Sequence, residues 1–146
     1  MTPNSNLILL VEDDENDVFL MERAMSKAGL SLPMHVAVNG QDAIDYLSGT
    51  DKYSDRDTYP LPICIFLDLK LPFVNGFEVL EWLRGQPALA GISVFILTSS
   101  PEERDREKAR ELGAKRYLVK PPPLEMLLEA MRMLPACVPA ASEPPL

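Results

Sequence analysis

Short apolar runs punctuate the chain, and each of four stops at a polar group. Leu7 to Val11 leads into Glu12, Asp13 and Asp14; Ile63 to Leu67 into Asp68; Val94 to Leu97 into Thr98 and Ser99; Tyr117 to Val119 into Lys120. Runs this short, rich in Ile, Leu and Val and bounded by turn signals, read as strands buried on both faces of a parallel sheet. Between them the apolar spacing becomes helical. Val18, Leu20, Met21, Met25 and Ala28 recur ahead of Gly29, a stop signal. A weaker strand, Met34 to Val38, passes through Asn39 and Gly40 into a second helix with Ala43, Ile44 and Leu47 on one face. A third helix is predicted over Gly76 to Leu83 with Phe77, Leu80 and Leu83 inward, a fourth over Pro101 to Leu112 before Gly113, and a last over Leu124 to Leu134. Five strand–helix units in order predict a doubly wound α/β domain: a five-stranded parallel sheet, right-handed crossovers and five helices.

Two segments fall outside the alternation. Ser48 to Leu61, full of Asp, Ser, Thr and Tyr, is longer than most connections. It reads as a surface loop or helix extension, with a tolerated insertion as the default. Residues 135–146 are rich in Pro and Ala without periodicity and read as a flexible tail, leaving 1–134 for the domain.

Composition narrows the function classes. The 146 residues, 47% hydrophobic and 25% charged, suffice for one domain with a sizeable core. A net charge of -8 disfavours nonspecific binding to nucleic acid or anionic membrane. No apolar stretch approaches the roughly 18 residues of a spanning helix. Met1 to Asn6 lacks the charged and apolar regions of a signal peptide, so a cytoplasmic protein is expected, with no membrane and no direct nucleic-acid partner. Cys64 inside an apolar run reads as a buried, inert thiol and Cys137 falls in the tail. Their spacing suggests neither a disulfide framework nor a zinc site.

In a doubly wound sheet, ligand chemistry gathers at the carboxyl ends of the strands. Glu12, Asp13, Asp14 and Asp68 converging there would repel by about 4 kcal/mol per close pair at an effective dielectric of about 20. A bound cation removes that penalty, and Mg²⁺ suits a site of few carboxylates with room for water and phosphate oxygens. Asp14 or Asp13 can serve as the cap of the first helix, but the whole acidic run together with Asp68 is harder to explain by capping. Asp68 is the best nucleophile in the chain, since a carboxylate accepts a phosphoryl group once cations neutralise the transferring charge. Lys120 could supply one such charge and the Thr98 hydroxyl a hydrogen bond. Each alone reads as readily as a surface lysine and an ordinary strand-end residue.

The stretches LLVEDDEND (Leu9 to Asp17), FLDLKLPFVNGFEVL (Phe66 to Leu80), LTSS (Leu97 to Ser100) and YLVKP (Tyr117 to Pro121) carry a family likeness. Taken in order, they resemble the receiver domain of two-component response regulators, over about Leu7 to Leu134. The resemblance implies the flavodoxin-like receiver fold with strand order 2-1-3-4-5. It also implies that Asp68 is the phosphoacceptor, taking a phosphoryl group from the phosphohistidine of a sensor histidine kinase in a Mg²⁺-dependent reaction. Asp13 would bind Mg²⁺ directly and Glu12 mainly through water, with Asp68 and the backbone carbonyl of Lys70 completing the ligand set. Thr98 and Tyr117 would be the switch pair, and Lys120 would contact the phosphate ahead of a cis Lys120–Pro121 bond. Pro72 and Gly76 match the loop behind the phosphoacceptor, while Lys70 and Ser100 fall where the family tunes phosphoryl lifetime.

The long loop before the third strand and the prolines after Lys120 resemble the single-domain regulators that pair with bacterial phytochromes. This implies a stand-alone signalling domain, an enzyme only in promoting its own phosphorylation and dephosphorylation. Its output would be contact with a downstream protein through the fourth helix, fifth strand and fifth helix, about Pro101 to Leu134, with a homodimer as one form. The fourth helix is expected to carry solvated pairs such as Glu102 with Arg106. Two other classes stay open. A Mg²⁺-dependent phosphatase or phosphotransferase of the haloacid dehalogenase type wants a second Asp where this chain has Lys70. A receiver-like adaptor that is never phosphorylated has no need of the intact set Glu12, Asp13, Asp68, Thr98 and Lys120.

Overall fold

Successive side chains of a strand point to opposite faces, so a strand that is apolar throughout must be covered on both sides. The computed structural model, which describes residues 6–134, meets that demand with two helical layers. The tail at 135–146, with Cys137, and the first residues of the chain lie outside the described residues. Strands β1 (Ile8–Val11), β2 (Met34–Ala37), β3 (Cys64–Leu67), β4 (Ser93–Thr98) and β5 (Arg116–Val119) alternate with helices α1 (Glu15–Lys27), α2 (Gly40–Ser48), α3 (Gly76–Arg84), α4 (Glu103–Glu111) and α5 (Leu124–Arg132). All strand pairs are parallel, in the order β2-β1-β3-β4-β5, the flavodoxin-like topology. No helix among the described residues is long and apolar enough to cross a membrane.

The period of two divides the interior. Leu9, Val11, Ile65, Leu67, Ile96 and Tyr117 face a core closed by Ala43, Leu47, Val79, Leu80 and Ala109 of α2, α3 and α4. Ile8, Leu10, Phe66, Phe95 and Leu118 face a second core closed by Met21, Met25, Leu127, Ala130 and Met131 of α1 and α5. Helix starts follow side-chain capping: the Asp14 carboxylate accepts from the Asn16 amide at 2.8 Å, and Asn39 from that of Asp42 at 2.7 Å. Asn75 and Glu78 form a reciprocal capping box at α3.

Several expectations shift. Leu20, counted on the inner stripe of α1, is exposed. On α3, Val79 and Leu80 are the buried pair, while Phe77 and Leu83 are half-buried at the margins. On α2 the buried aromatic is Tyr46, and Ile44 is only half-buried. The cause lies in 49–61, which is no loose insertion but a strap packed on α2 and β2. Tyr46 donates to the Pro60 carbonyl at 3.0 Å and lies 2.9 Å from Nδ1 of His35. Arg56 donates to the carbonyls of Tyr46 (2.8 Å) and Leu47 (2.9 Å) in the last turn of α2 and to that of Tyr59 (3.1 Å) in the strap, tying the two together. Tyr53, buried in a 3₁₀ turn at Asp51–Tyr53, donates to Asp42 at 2.7 Å. Burial under the strap pushes the Tyr46 hydroxyl up to about 12.

Candidate functional site

Strand register sets the site. Val11 is level with Leu67, Leu67 with Ile96, and Ile96 with Tyr117, so the polar residues that follow emerge together at one edge. Backbone bonds hold the last steps: Glu12 N–H to the Ala37 carbonyl (2.9 Å), Asp68 N–H to Val11 (3.2 Å) and Lys120 N–H to Thr98 (2.8 Å). Continuing the alternation places Glu12, Asp68 and Lys120 on the α1–α5 side of the sheet and Thr98 on the side of α3 and α4.

Glu12 and Asp68 are buried and Asp13 is exposed, yet their carboxylate oxygens lie within 4.8 Å of one another. The Lys120 ammonium donates to Glu12 Oε1 at 2.6 Å, Asp17 Oδ2 at 2.7 Å and Asp68 Oδ2 at 2.8 Å. The remaining oxygens accept backbone amides, Asp14 N–H onto Glu12 at 3.2 Å and Lys70 N–H onto Asp68 at 3.1 Å. One ammonium thus faces three carboxylates, and Asp13 adds a fourth. Burial raises Glu12 from its ordinary 4.5 to about 7, against the pull of Lys120. Burial also pulls the Lys120 ammonium down, but its bonds to Asp17, Asp68 and Glu12 outweigh that and hold it above its ordinary value. The surplus of hard, anionic oxygen fits a divalent cation, with Glu12, Asp13 and Asp68 as side-chain donors.

A raised Glu12 means that the folded chain holds this proton more tightly than the unfolded one. Its contribution to stability is full below about pH 4.5 and fades as pH rises toward 7. Urea unfolding in a chelator should therefore show Glu12→Gln gaining on the parent by about 2 kcal/mol between pH 4.5 and 7. A difference that stays flat with pH would return Glu12 to an ordinary carboxylate.

Thr98 is fully buried, and its hydroxyl has no hydrogen-bond partner among the described residues. An orphaned buried hydroxyl costs roughly 1–3 kcal/mol, and at the strand beside Asp68 it is suited to an incoming oxygen. Tyr117 is buried too. Its hydroxyl donates to the Ser100 carbonyl at 2.8 Å and its ring lies 4.6 Å from the Arg106 guanidinium. Ser100 in turn donates to Asp105 at 2.7 Å. Arg106 pairs with Glu103 at 3.8 Å and Glu102 with Arg104 at 3.6 Å, so the expected Glu102–Arg106 pair is absent among the described pairs. The tyrosine ring claims the arginine instead. Asp14 is the cap of α1 and the Lys120–Pro121 bond is cis, both as expected.

Sequence reasoning missed Asp17. Its place in an acidic first turn already had an explanation in the helix dipole. The available signal was spacing, since Asp17, Met21 and Met25 form one stripe and both methionines are buried. An acidic residue heading an inward stripe wants a cation.

Residues 8–132 match the family model of the response regulator receiver domain. Among solved structures, the bacteriophytochrome response regulator RtBRR is 42% identical, with a TM-score of 0.77 over 87% of this chain and 76% of that one. The bacteriophytochrome response regulator AtBRR is 40% identical, with a TM-score of 0.78 over 90% and 94%. Response regulator Rcp1 of Synechocystis sp. is 33% identical over 82% of each chain. Its Mn²⁺-bound form aligns with a TM-score of 0.72 at 28% identity, over 97% of this chain and 96% of that one. Other curated relatives are longer: the chain spans 51% and 48% of two transcriptional regulatory proteins. A family match running from β1 to the end of α5, on a sheet of this order, leaves one assignment, and the chain belongs to the response regulator receiver family.

Proposed function

We propose that this chain is a phosphorylation-switched receiver, with residues 1–134 as its working unit, that accepts a phosphoryl group on Asp68 from a sensor histidine kinase. The observation that carries the reading is the pairing of a lysine-held aspartate with an unpartnered buried hydroxyl on the next strand, Asp68 with Thr98. An Asp68 oxygen attacks phosphorus as the bond to the donor nitrogen or acyl oxygen breaks, leaving an acyl phosphate. Lys120 turns one N–H toward a phosphoryl oxygen and the Thr98 hydroxyl donates to another. Glu12, Asp13, Asp68 and the Lys70 carbonyl would hold Mg²⁺, which neutralises charge on the transferring group when bound.

The added group carries nearly two negative charges, and Thr98 and Lys120 must shift to meet it. Tyr117, tied to Ser100 and covered by Arg106, reports that shift to α4, β5 and α5. A downstream protein, or a second copy, would read that face. Similarity to RtBRR and AtBRR supports a phytochrome-type kinase as donor, and with it a cytoplasmic site of action. The net charge of -8 favours protein contact over nucleic acid or membrane.

Incubation with acetyl phosphate and Mg²⁺ should add the mass of one phosphoryl group, removable by hydroxylamine and not formed in a chelator. No gain from this donor or from a phosphorylated kinase would end the proposal. Steady turnover of p-nitrophenyl phosphate would favour a phosphatase.

A further inference from the structure

The Lys120 ammonium has three N–H donors, and all three are engaged, by Glu12, Asp17 and Asp68. The three acceptors are not equivalent. The Glu12 and Asp68 side chains are 2% and 8% exposed and belong to the cation cluster. Asp17 is 30% exposed, sits on α1 and lies outside that cluster. Once a cation and a phosphoryl group draw on Glu12 and Asp68, Lys120 keeps one carboxylate that neither of them claims.

We propose that Asp17 is a positioning residue, the carboxylate that holds the Lys120 ammonium at the site while Glu12 and Asp68 are engaged elsewhere; this rests on the function proposed above. The need is electrostatic. A divalent ion on the cluster repels the ammonium, whose carbon stem is free to move. Beside it, between α1 and the turn after β5, lies a cavity of about 480 Å³ lined by Asp17, Leu20, Lys120, Pro121, Pro122 and Leu124. That cavity is room for the ammonium to swing into, and Asp17 stands at the same wall. The helix cannot turn Asp17 away, because Met21 and Met25 on the same stripe are buried against the sheet. Favouring the helix dipole asks only for negative charge in the first turn, a role that Glu15 shares. Holding Lys120 asks for position 17.

The test compares Asp17→Asn with Glu15→Gln as a charge control and Asp17→Glu as the conservative rescue. Without any phosphoryl donor, the Lys120 side-chain NMR signal is followed as Mg²⁺ is added. In the parent it should keep the signature of a held ammonium. In Asp17→Asn it should move to that of a free lysine on Mg²⁺ addition. Phosphoryl uptake from acetyl phosphate at saturating Mg²⁺ should slow about tenfold, because the lysine is no longer placed at the transferring group. Asp17→Glu should recover much of both, and Glu15→Gln should match the parent. A parent-like Lys120 signal in Asp17→Asn on Mg²⁺ addition would overturn the proposal. If the lysine responds as stated but the parent never takes up a phosphoryl group, the tether stands and the proposed function falls.

Discussion

Asp68→Asn is expected to take up no phosphoryl group from acetyl phosphate and Mg²⁺, while remaining folded and growing more stable. An amide oxygen does not form the acyl phosphate, so loss of the hydroxylamine-sensitive mass should be complete. The stability change separates this outcome from simple damage. Asp68 lies among Glu12, Asp13 and the Lys120 ammonium, so above about pH 7, where Glu12 too is ionised, neutralising it removes two repulsions and one attraction. Each close pair is worth about 4 kcal/mol at an effective dielectric of about 20, before solvent screening of the exposed Asp13. The balance should favour the variant by on the order of 1 kcal/mol in a chelator, read as a higher urea midpoint. A drop of several kcal/mol would instead make Asp68 a structural ion-pair member, and the lost phosphorylation a consequence of unfolding.

Gly76→Ala should be strongly damaging in the loop behind Asp68. A Cβ there would sit 2.3 Å from the Asp68 carbonyl oxygen and 2.7 Å from the Leu69 Cα. Both neighbours are backbone, and neither can rotate aside. The Gly76 amide also donates to the Leu69 carbonyl at 3.0 Å, pinning the start of α3 against the residue behind Asp68. Relief requires α3 or the end of β3 to move, and a loss of about 3 kcal/mol is expected. The folded fraction should also take up phosphoryl groups more slowly, because Asp68 moves with its carbonyl. Gly91→Ala is the control: nothing lies within 4 Å of its Cβ. Thermal and urea unfolding of the two variants side by side checks both expectations, and equal stability would mean that α3 is not held against the Asp68 loop.

The strand-end residues were legible because in a parallel sheet of short apolar runs the runs themselves set the register. Once Val11, Leu67 and Ile96 are level, Glu12 and Asp68 must emerge side by side. What depended on distant chain was not legible. Tyr46 takes the buried place near Ile44 because Arg56 and Pro60 arrive from beyond the helix. The Glu102–Arg106 spacing is ideal for a helical pair, but a tyrosine from β5 competes for the cation. Asp17 already had a local explanation, and its partner stands 103 residues away. The orphaned Thr98 hydroxyl is a property of its surroundings and has no sequence signature.

The sheet separates two apolar layers, and the polar edge draws on both. Each layer can therefore accumulate substitutions on its own, since a repacked α1–α5 side meets the α2–α4 side only through the strands. A lineage could repack α1 against the sheet without disturbing α2 or α3. Only the edge residues are bound to both histories, and they are the ones least free to drift.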